Sequence, residues 1–388
     1  MLAKAAVLFL LAPALLREPI GQGAWHKEAD PVRRRVASLL AGTPVGADSV
    51  TVVPLFARVP SEAGHGRPLE LAWDAGGIAG RVVHDDGRQY LRVINPTDRA
   101  VFVPAGAVFA VGGLEVFVER DAVVPPDFAA LFPARANAVA EDDADRDFRW
   151  RGILPPAATG VLLHGGLSHQ QATVNRWRLH GGAVSYAAVL RSHGVRRKYD
   201  ALERKCARLA DAAGGTAVGA VFLIANRPVC AHAFRTHSLF MAALPDLLLG
   251  VAAQAREWEI RAGGAKLLAQ GTSPGSAHGR AVAFLRQAIK AKGDWTESYG
   301  SGFEVISRSA SQTVLGHAVV DHRHTVLHAA YYVLGEYWPG AAQGPRTNPS
   351  PPGPPPDDGK SENAPGVVAR KPRPSISEKR EQDRKGNR

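Results

Sequence analysis

Residues of a metal-binding type concentrate in HAVVDHRHTVLH, which holds His317, Asp321, His322, His324 and His328. Imidazole nitrogens and carboxylate oxygens are donors that zinc and other transition metals accept. On one continuous strand, alternation puts His322, His324 and His328 on a single face, and these are the candidate metal ligands. The spacing is loose, and Asp321-His322-Arg323 also has the composition of a hairpin turn, which would break that alignment. Polar turn residues plus one semi-buried histidine are the plainer reading.

Other reactive residue types form weaker patterns. Ser168 lies between His164 and His169 in HGGLSHQQ, but without the G-x-S-x-G elbow of a serine nucleophile. The acidic run EDDADRD from Glu141 lacks the glycine and spacing of a calcium loop and reads as a solvated loop. The glycine pairs at 112–113, 165–166, 181–182 and 214–215 fit no phosphate-binding fingerprint. Cys206 and Cys230 stand outside any CxxC, which excludes a zinc knuckle or dithiol motif. They read as small buried hydrophobes, with one disulfide left open for an exported chain. Trp177, Trp258, Trp295 and Trp338 are scattered, as core residues are, rather than forming a stacking platform. No catalytic residue is assigned and no cofactor is identified.

The net charge of +11 admits nucleic acid, a membrane surface or an anionic ligand as partner. The segment VRRKYDALERKCARLADAAGG reads as a helix, with Tyr199, Leu202, Cys206, Leu209 and Ala213 in one apolar stripe. Its other face carries Arg196, Arg197, Lys198, Arg204, Lys205 and Arg208. Arg196, Arg197 and Arg204 are the candidate ligands for an anion or a cell-envelope component; a solvated amphipathic face is the commoner explanation. Nothing points to a specific nucleic acid.

The elements that must position these residues are short and punctuated. VRRRVASLLAG predicts a helix ended by Gly42, SVTVVPLF a strand, and LELAWDAGG a helical turn or two. GRVVHDDGRQYLRVIN, AVFVPAGAVFAVGG and LEVFVERDAVVPP predict a meander of antiparallel strands to about Pro126, with Asp86-Gly87 as a hairpin turn. AVGAVFLIANRPVCAHAF predicts a hairpin turning at Asn226-Arg227-Pro228. A helix capped by Thr236 follows, with a kink or restart at Pro245. AVAFLRQAIKAK predicts a second helix. FEVISRS, TVLGHAVVD and TVLHAAYYV predict three strands, the last two a hairpin about Asp321-His322-Arg323.

The termini differ in character. Lys4 and the apolar run over residues 5–16 resemble a secretory signal, although no A-x-A follows; an uncleaved anchor and a buried helix are the alternatives. No later segment reads as a charge-free transmembrane span. Residues 339–388 are proline-rich and then charged, the composition of a disordered basic tail. The expected organisation is a signal over 1–24, one globular body over 28–338 with a subdivision conceivable near 127–160, and the tail. Its fold class is α+β, an antiparallel β-rich body with several covering helices. The expected location is periplasmic or extracellular, and the chain is not an integral membrane protein unless the signal stays uncleaved.

The order of pieces resembles the ARG-and-rhodanese-phosphatase-superfamily-associated protein domain (ARPP), a bacterial domain of unknown function. The resemblance lies in VTVVPLF, LELAWDAGG, YLRVINPTDRAVFVPAGAVF, VVPP, AVGAVFLIANRPVCAHAFRTHSLFMAALPDLLLGVAAQA and the closing SYGSGFEVISRSASQTVLGHAVVDHRHTVLHAAYYV, over about residues 49–334. It implies a link to NAD-derived metabolites such as ADP-ribose, because the family is named for gene neighbours that handle them. His328 fits the family's late histidine, Asn226 and Arg227 its turn, and Phe234 its core phenylalanine. Where relatives have a polar stretch with an acidic pair and Gln-Asn-Arg, this chain has AGAVFAVGGLEVFVER, keeping Gly106, Gly112 and Gly113 but placing Ala107, Val108, Leu114, Glu115 and Val116 there. A ligand held by that stretch would be lost or changed. The leading expectation is therefore a non-catalytic binding or interaction domain. The alternative is a metal-assisted hydrolase of ADP-ribose-like compounds built on residues 317–328.

Overall fold

The structure, a computed structural model, describes residues 30–57, 69–71, 77–85, 88–138, 148–164, 185–212, 217–262, 274–298, 303–311 and 314–333. The signal-like segment, the acidic run, Ser168, Trp177, Trp338 and the tail lie outside them. The described residues form an α+β body rich in antiparallel strands.

Its largest layer is a nine-stranded antiparallel sheet. In spatial order it runs β1 (Leu39–Ala41), β3 (Val50–Ala57), β13 (Ala217–Ile224), β14 (Arg227–Phe234), β18 (Val326–Val333), β17 (Val314–Asp321), β16 (Phe303–Ser311) and β15 (Lys292–Ser298). The short β2 (Val45–Ala47) shares the β1 edge of β3. Strands β13 and β14 form the expected hairpin, but the turn is Ala225-Asn226, both at positive φ (48° and 61°), and Arg227 and Pro228 begin the return strand. A register shift opposite Leu223 accommodates Pro228, which has no N–H to give to the ladder.

Both faces of this sheet are buried, so its central strands read as unbroken apolar runs and not as alternations. One face packs Val53, Leu55, Val221 and Tyr331 against α1 (Pro31–Ala37) and α6 (Pro274–Ile289). The expected helix over VRRRVASLLAG stops at Ala37, because the next residues pair as β1 with Leu55, Phe56 and Ala57. Gly42 is then a close-passing residue: a Cβ there would lie 2.2 Å from the Phe56 ring.

The other face meets α2 (Pro156–His164), α5 (His237–Arg261) and a three-stranded sheet of β10 (Ala122–Val124), β7 (Ala100–Val103) and β4 (Leu69–Leu71). The first residues of LELAWDAGG are thus a strand, parallel to β7, rather than a helical turn. Helix α5 is capped as expected, Thr236 Oγ1 accepting from the Leu239 amide at 3.3 Å, but it passes Pro245 without restarting. Its length and hydropathy would let it cross a membrane; here 72% of its apolar window is buried inside the protein. Helices α3 (Tyr186–Arg191) and α4 (His193–Ala212) lean on it.

A six-stranded antiparallel sheet completes the body, in the order β12 (Arg149–Ile153), β8 (Ala107–Val111), β9 (Leu114–Val118), β11 (Phe128–Ala138), β6 (Arg88–Asn95) and β5 (Ala79–Asp85). The expected simple meander is therefore split: β7 and β10 leave it to form the middle layer. Val101 and Val103 point to the six-stranded side, while Phe102 and Val123 point to the histidine-bearing face of the large sheet.

Candidate metal centre

Strands β14, β18 and β17 are neighbours, and each carries one histidine in an apolar run. Register places His232, Ala330 and His317 on one rung, with Phe234, His328 and Val319 two residues along, past the rung of Ala233, Ala329 and Ala318. Strand alternation turns all three histidines to the same face, shared with Tyr332 and Phe234. Ala330, between His232 and His317, is small enough to leave room above it for the His328 ring.

Asp121 comes from the facing layer. It precedes β10 and shares parity with Val123, so its carboxylate aims at the large sheet. The turn Ala105-Gly106, with Gly106 at φ +80°, presents the Ala105 amide, which donates to Asp121 Oδ1 at 2.7 Å. The exposures are 0% for Asp121, 1% for His317 and His328, and 3% for His232.

The distances make a chain. His328 Nδ1 lies 2.5 Å from Asp121 Oδ2, and His328 Nε2 lies 3.2 Å from His232 Nδ1. His317 Nε2 approaches Asp121 Oδ1 at 2.8 Å, yet the ring is out of line, so among the described residues neither nitrogen of His317 makes a hydrogen bond. Aromatic rings wall the cluster, with centroids at 4.6 Å (Phe234) and 5.2 Å (Phe102) from His328 and 6.0 Å (Tyr332) from His317.

Burial alone would raise the Asp121 pKa; the charges of His317 and His328, and the contacts they make, outweigh it and hold the carboxyl well below the usual range. His232 is pushed well below its ordinary value by burial and by repulsion from His328 and His317, against the pull of Asp121. The centre therefore holds an ionised carboxylate, and its outermost histidine is neutral. Donor atoms of Asp121, His317 and His328 all lie within 4.8 Å of one another, a spacing that could hold a metal ion.

Of the three expected metal ligands, only His328 reaches this centre. His322 and His324 are exposed in the β17–β18 turn, where Asp321 Oδ1 accepts from the amides of Arg323 (2.9 Å) and Thr325 (2.8 Å). The turn breaks the strand alternation on which the expected triad depended. Sequence reasoning did not assign Asp121, His232 or His317 as ligands. The signal lay in three apolar strands with one histidine each.

Arg196, Arg197 and Arg204 are exposed on α4, and Arg204 Nε returns to the Asp200 carbonyl at 3.1 Å. Lys198, expected on the same polar face, is instead buried, paired with Glu259 and 3.7 Å from Asp48. A cationic depression of about 240 Å³ lies elsewhere, lined by Pro31, Arg34, Arg35, Arg235, His324 and Val326. Arg35 is fixed there by donating to the carbonyls of Phe234 (2.6 Å) and Arg235 (3.3 Å). Cys206 and Cys230 are both buried free thiols. Comparison of the chain with family models, with curated proteins and with solved structures finds no match.

Proposed function

We propose that this chain is a non-catalytic binding domain that takes an anionic ligand on the cationic depression between α1 and the start of β18. The supporting observation is a contrast of access. The clustered groups Asp121, His232, His317 and His328 are 0–3% exposed, whereas the open depression offers Arg34, Arg235 and His324 around a half-buried Arg35. Guanidinium groups suit phosphate and carboxylate oxygens because they donate in a planar fork. The family resemblance suggests ADP-ribose as the first ligand to try. The proposed setting is outside the cytoplasm, on the strength of Lys4 and the apolar run over residues 5–16.

Calorimetric titration of the purified chain with ADP-ribose, and with inorganic pyrophosphate as a simpler anion, tests this reading. Binding weakened at least ~10-fold in Arg34→Ala and Arg235→Ala, about 1.4 kcal/mol, is expected. Turnover of ADP-ribose by the same preparation would overturn it. The convergence of Asp121, His317 and His328 favours a second reading, metal-assisted hydrolysis of NAD-derived metabolites. That reading requires metal-dependent turnover that disappears in His317→Phe.

A further inference from the structure

The geometry points to a structural metal site: we propose that Asp121, His317 and His328 bind one divalent transition-metal ion of the Zn²⁺ class in the seam between the nine-stranded and three-stranded sheets. This inference does not depend on the anion-binding reading.

Several observations carry it. The donor set is two imidazoles and a carboxylate, the nitrogen and oxygen ligands that zinc and its neighbours accept. The three donor atoms lie within 4.8 Å of one another, and ligands at 2.0–2.2 Å from a common ion stand roughly 3–4 Å apart. The required shift is therefore small and local.

The surrounding groups already act as outer partners. A metal-bound histidine ordinarily gives its other ring N–H to an acceptor, which fixes its tautomer. His328, ligating through Nδ1, would donate from Nε2 to His232 Nδ1, which is 3.2 Å away. The Ala105 amide steadies Asp121 by donating to Oδ1. His317 supplies the most direct pointer. It is 1% exposed, its Nε2 faces the carboxylate at 2.8 Å, and neither of its ring nitrogens has a hydrogen-bond partner among the described residues. Buried polar nitrogens are rarely left without a partner, because desolvation is costly. A coordinated ion would satisfy His317 Nε2 and would neutralise the buried charge of Asp121 in the same act.

The site is walled by Phe102, Phe234 and Tyr332, so the ion would be captured as the sheets close and its binding would contribute to folding. That is the behaviour of a structural rather than a catalytic metal.

The test uses the full chain, purified without chelators, with metal content measured by mass spectrometry. About one equivalent per chain is expected. After chelation, adding Zn²⁺ should restore the equivalent and raise the melting temperature. His317→Phe, which keeps a ring in the cavity, should weaken Zn²⁺ binding at least ~100-fold, and His232→Phe by about 10–100-fold as an outer partner. His322→Ala/His324→Ala should leave the stoichiometry unchanged. Where His317→Phe does not fold, X-ray absorption of the Zn²⁺-loaded wild-type chain decides: nitrogen and oxygen ligands near ~2.0–2.2 Å with imidazole scattering support the site, and sulfur near ~2.3 Å overturns it. A chain that stays metal-free after reconstitution, or one whose metal survives both His317→Phe and Asp121→Asn, also overturns it.

Discussion

His317 Nε2, on β17 of the nine-stranded sheet, lies 2.8 Å from Oδ1 of Asp121, the residue that leads into β10 of the three-stranded sheet. This contact and the His328–Asp121 hydrogen bond tie the nine-stranded sheet to the three-stranded one inside a region otherwise closed by apolar side chains. An apolar seam holds two sheets together without fixing how they slide; a buried carboxylate hydrogen-bonded to His328 and the Ala105 amide and in contact with His317 does fix it. Asp121 meets the Ala105 amide and His317 at Oδ1 and His328 at Oδ2, so a lateral shift of either sheet would strand a buried charge.

Asp121→Asn should therefore cost far more than its change of shape suggests. It removes the carboxylate that both imidazoles face while leaving the two rings buried. Breaking a buried pair on one side costs about 3–5 kcal/mol. Urea unfolding of the metal-stripped protein should show the unfolding free energy falling by that amount, through a lower midpoint with the slope unchanged. A loss under ~1 kcal/mol would mean that the carboxylate is not what holds the layers in register.

The pair of Lys198 with Glu259 makes a second buried polar tie, between α4 and α5. Lys198→Met should destabilise by about 2–4 kcal/mol, because among the described residues Glu259 would keep the Ser49 hydroxyl (3.2 Å) and the more distant Arg256 (3.5 Å). Lys198→Met/Glu259→Leu should regain most of that loss, since two apolar residues need no partner. A double variant as unstable as the sum of its single changes would show that the two side chains act independently.

Much of the fold was legible because its elements obey local rules. The β13–β14 hairpin, the Thr236 cap and the closing hairpin at residues 321–323 follow from turn residues, a capping hydroxyl and apolar runs. The errors came where tertiary pairing overrode local preference. Leu39–Ala41 reads as helical but pairs along β3, and Leu69–Leu71 pairs along β7. Lys198 was read as solvated because its partner Glu259 lies on another helix. The centre was the least legible part. It depends on strand order, which sets β14 beside β18 and β18 beside β17, and on an aspartate that is 207 residues from His328. No spacing within one segment encodes that.

Pro245 offers a test of local cost. It sits on the exposed side of α5 and interrupts its hydrogen-bond ladder without ending the helix. An interior proline costs a helix about 3 kcal/mol, and removing it frees the unfolded chain by about 0.4–1 kcal/mol. The first effect wins, so Pro245→Ala should raise stability by about 2–2.6 kcal/mol, read as a higher melting temperature. A lower one would mean that Pro245 shapes the packing of α5 against β13.

The buried thiols predict a loss of stability in alkali. Burial pushes the Cys206 thiol up to about 12, and pushes Cys230 well above its ordinary value for the same reason. A group whose pKa is higher in the folded chain than in the unfolded one contributes stability that is intact below the unfolded value and lost as pH rises past it. The unfolded thiols ionise near 9. Each unit of pH above that should therefore remove about 1.4 kcal/mol per thiol, until the folded thiols ionise in turn. Unfolding free energy measured between pH 8 and pH 10 should fall by about 2–3 kcal/mol on this account. Cys206→Ala/Cys230→Ala, less stable at pH 8, should show a correspondingly shallower decline. Below pH 9 both thiols should ignore a disulfide reagent until urea unfolds the chain, since the reactive thiolate is scarce and buried. Rapid reaction of either thiol in the native state at pH 8 would contradict the enclosed positions of Cys206 against the α4–α5 core and of Cys230 beside Tyr332.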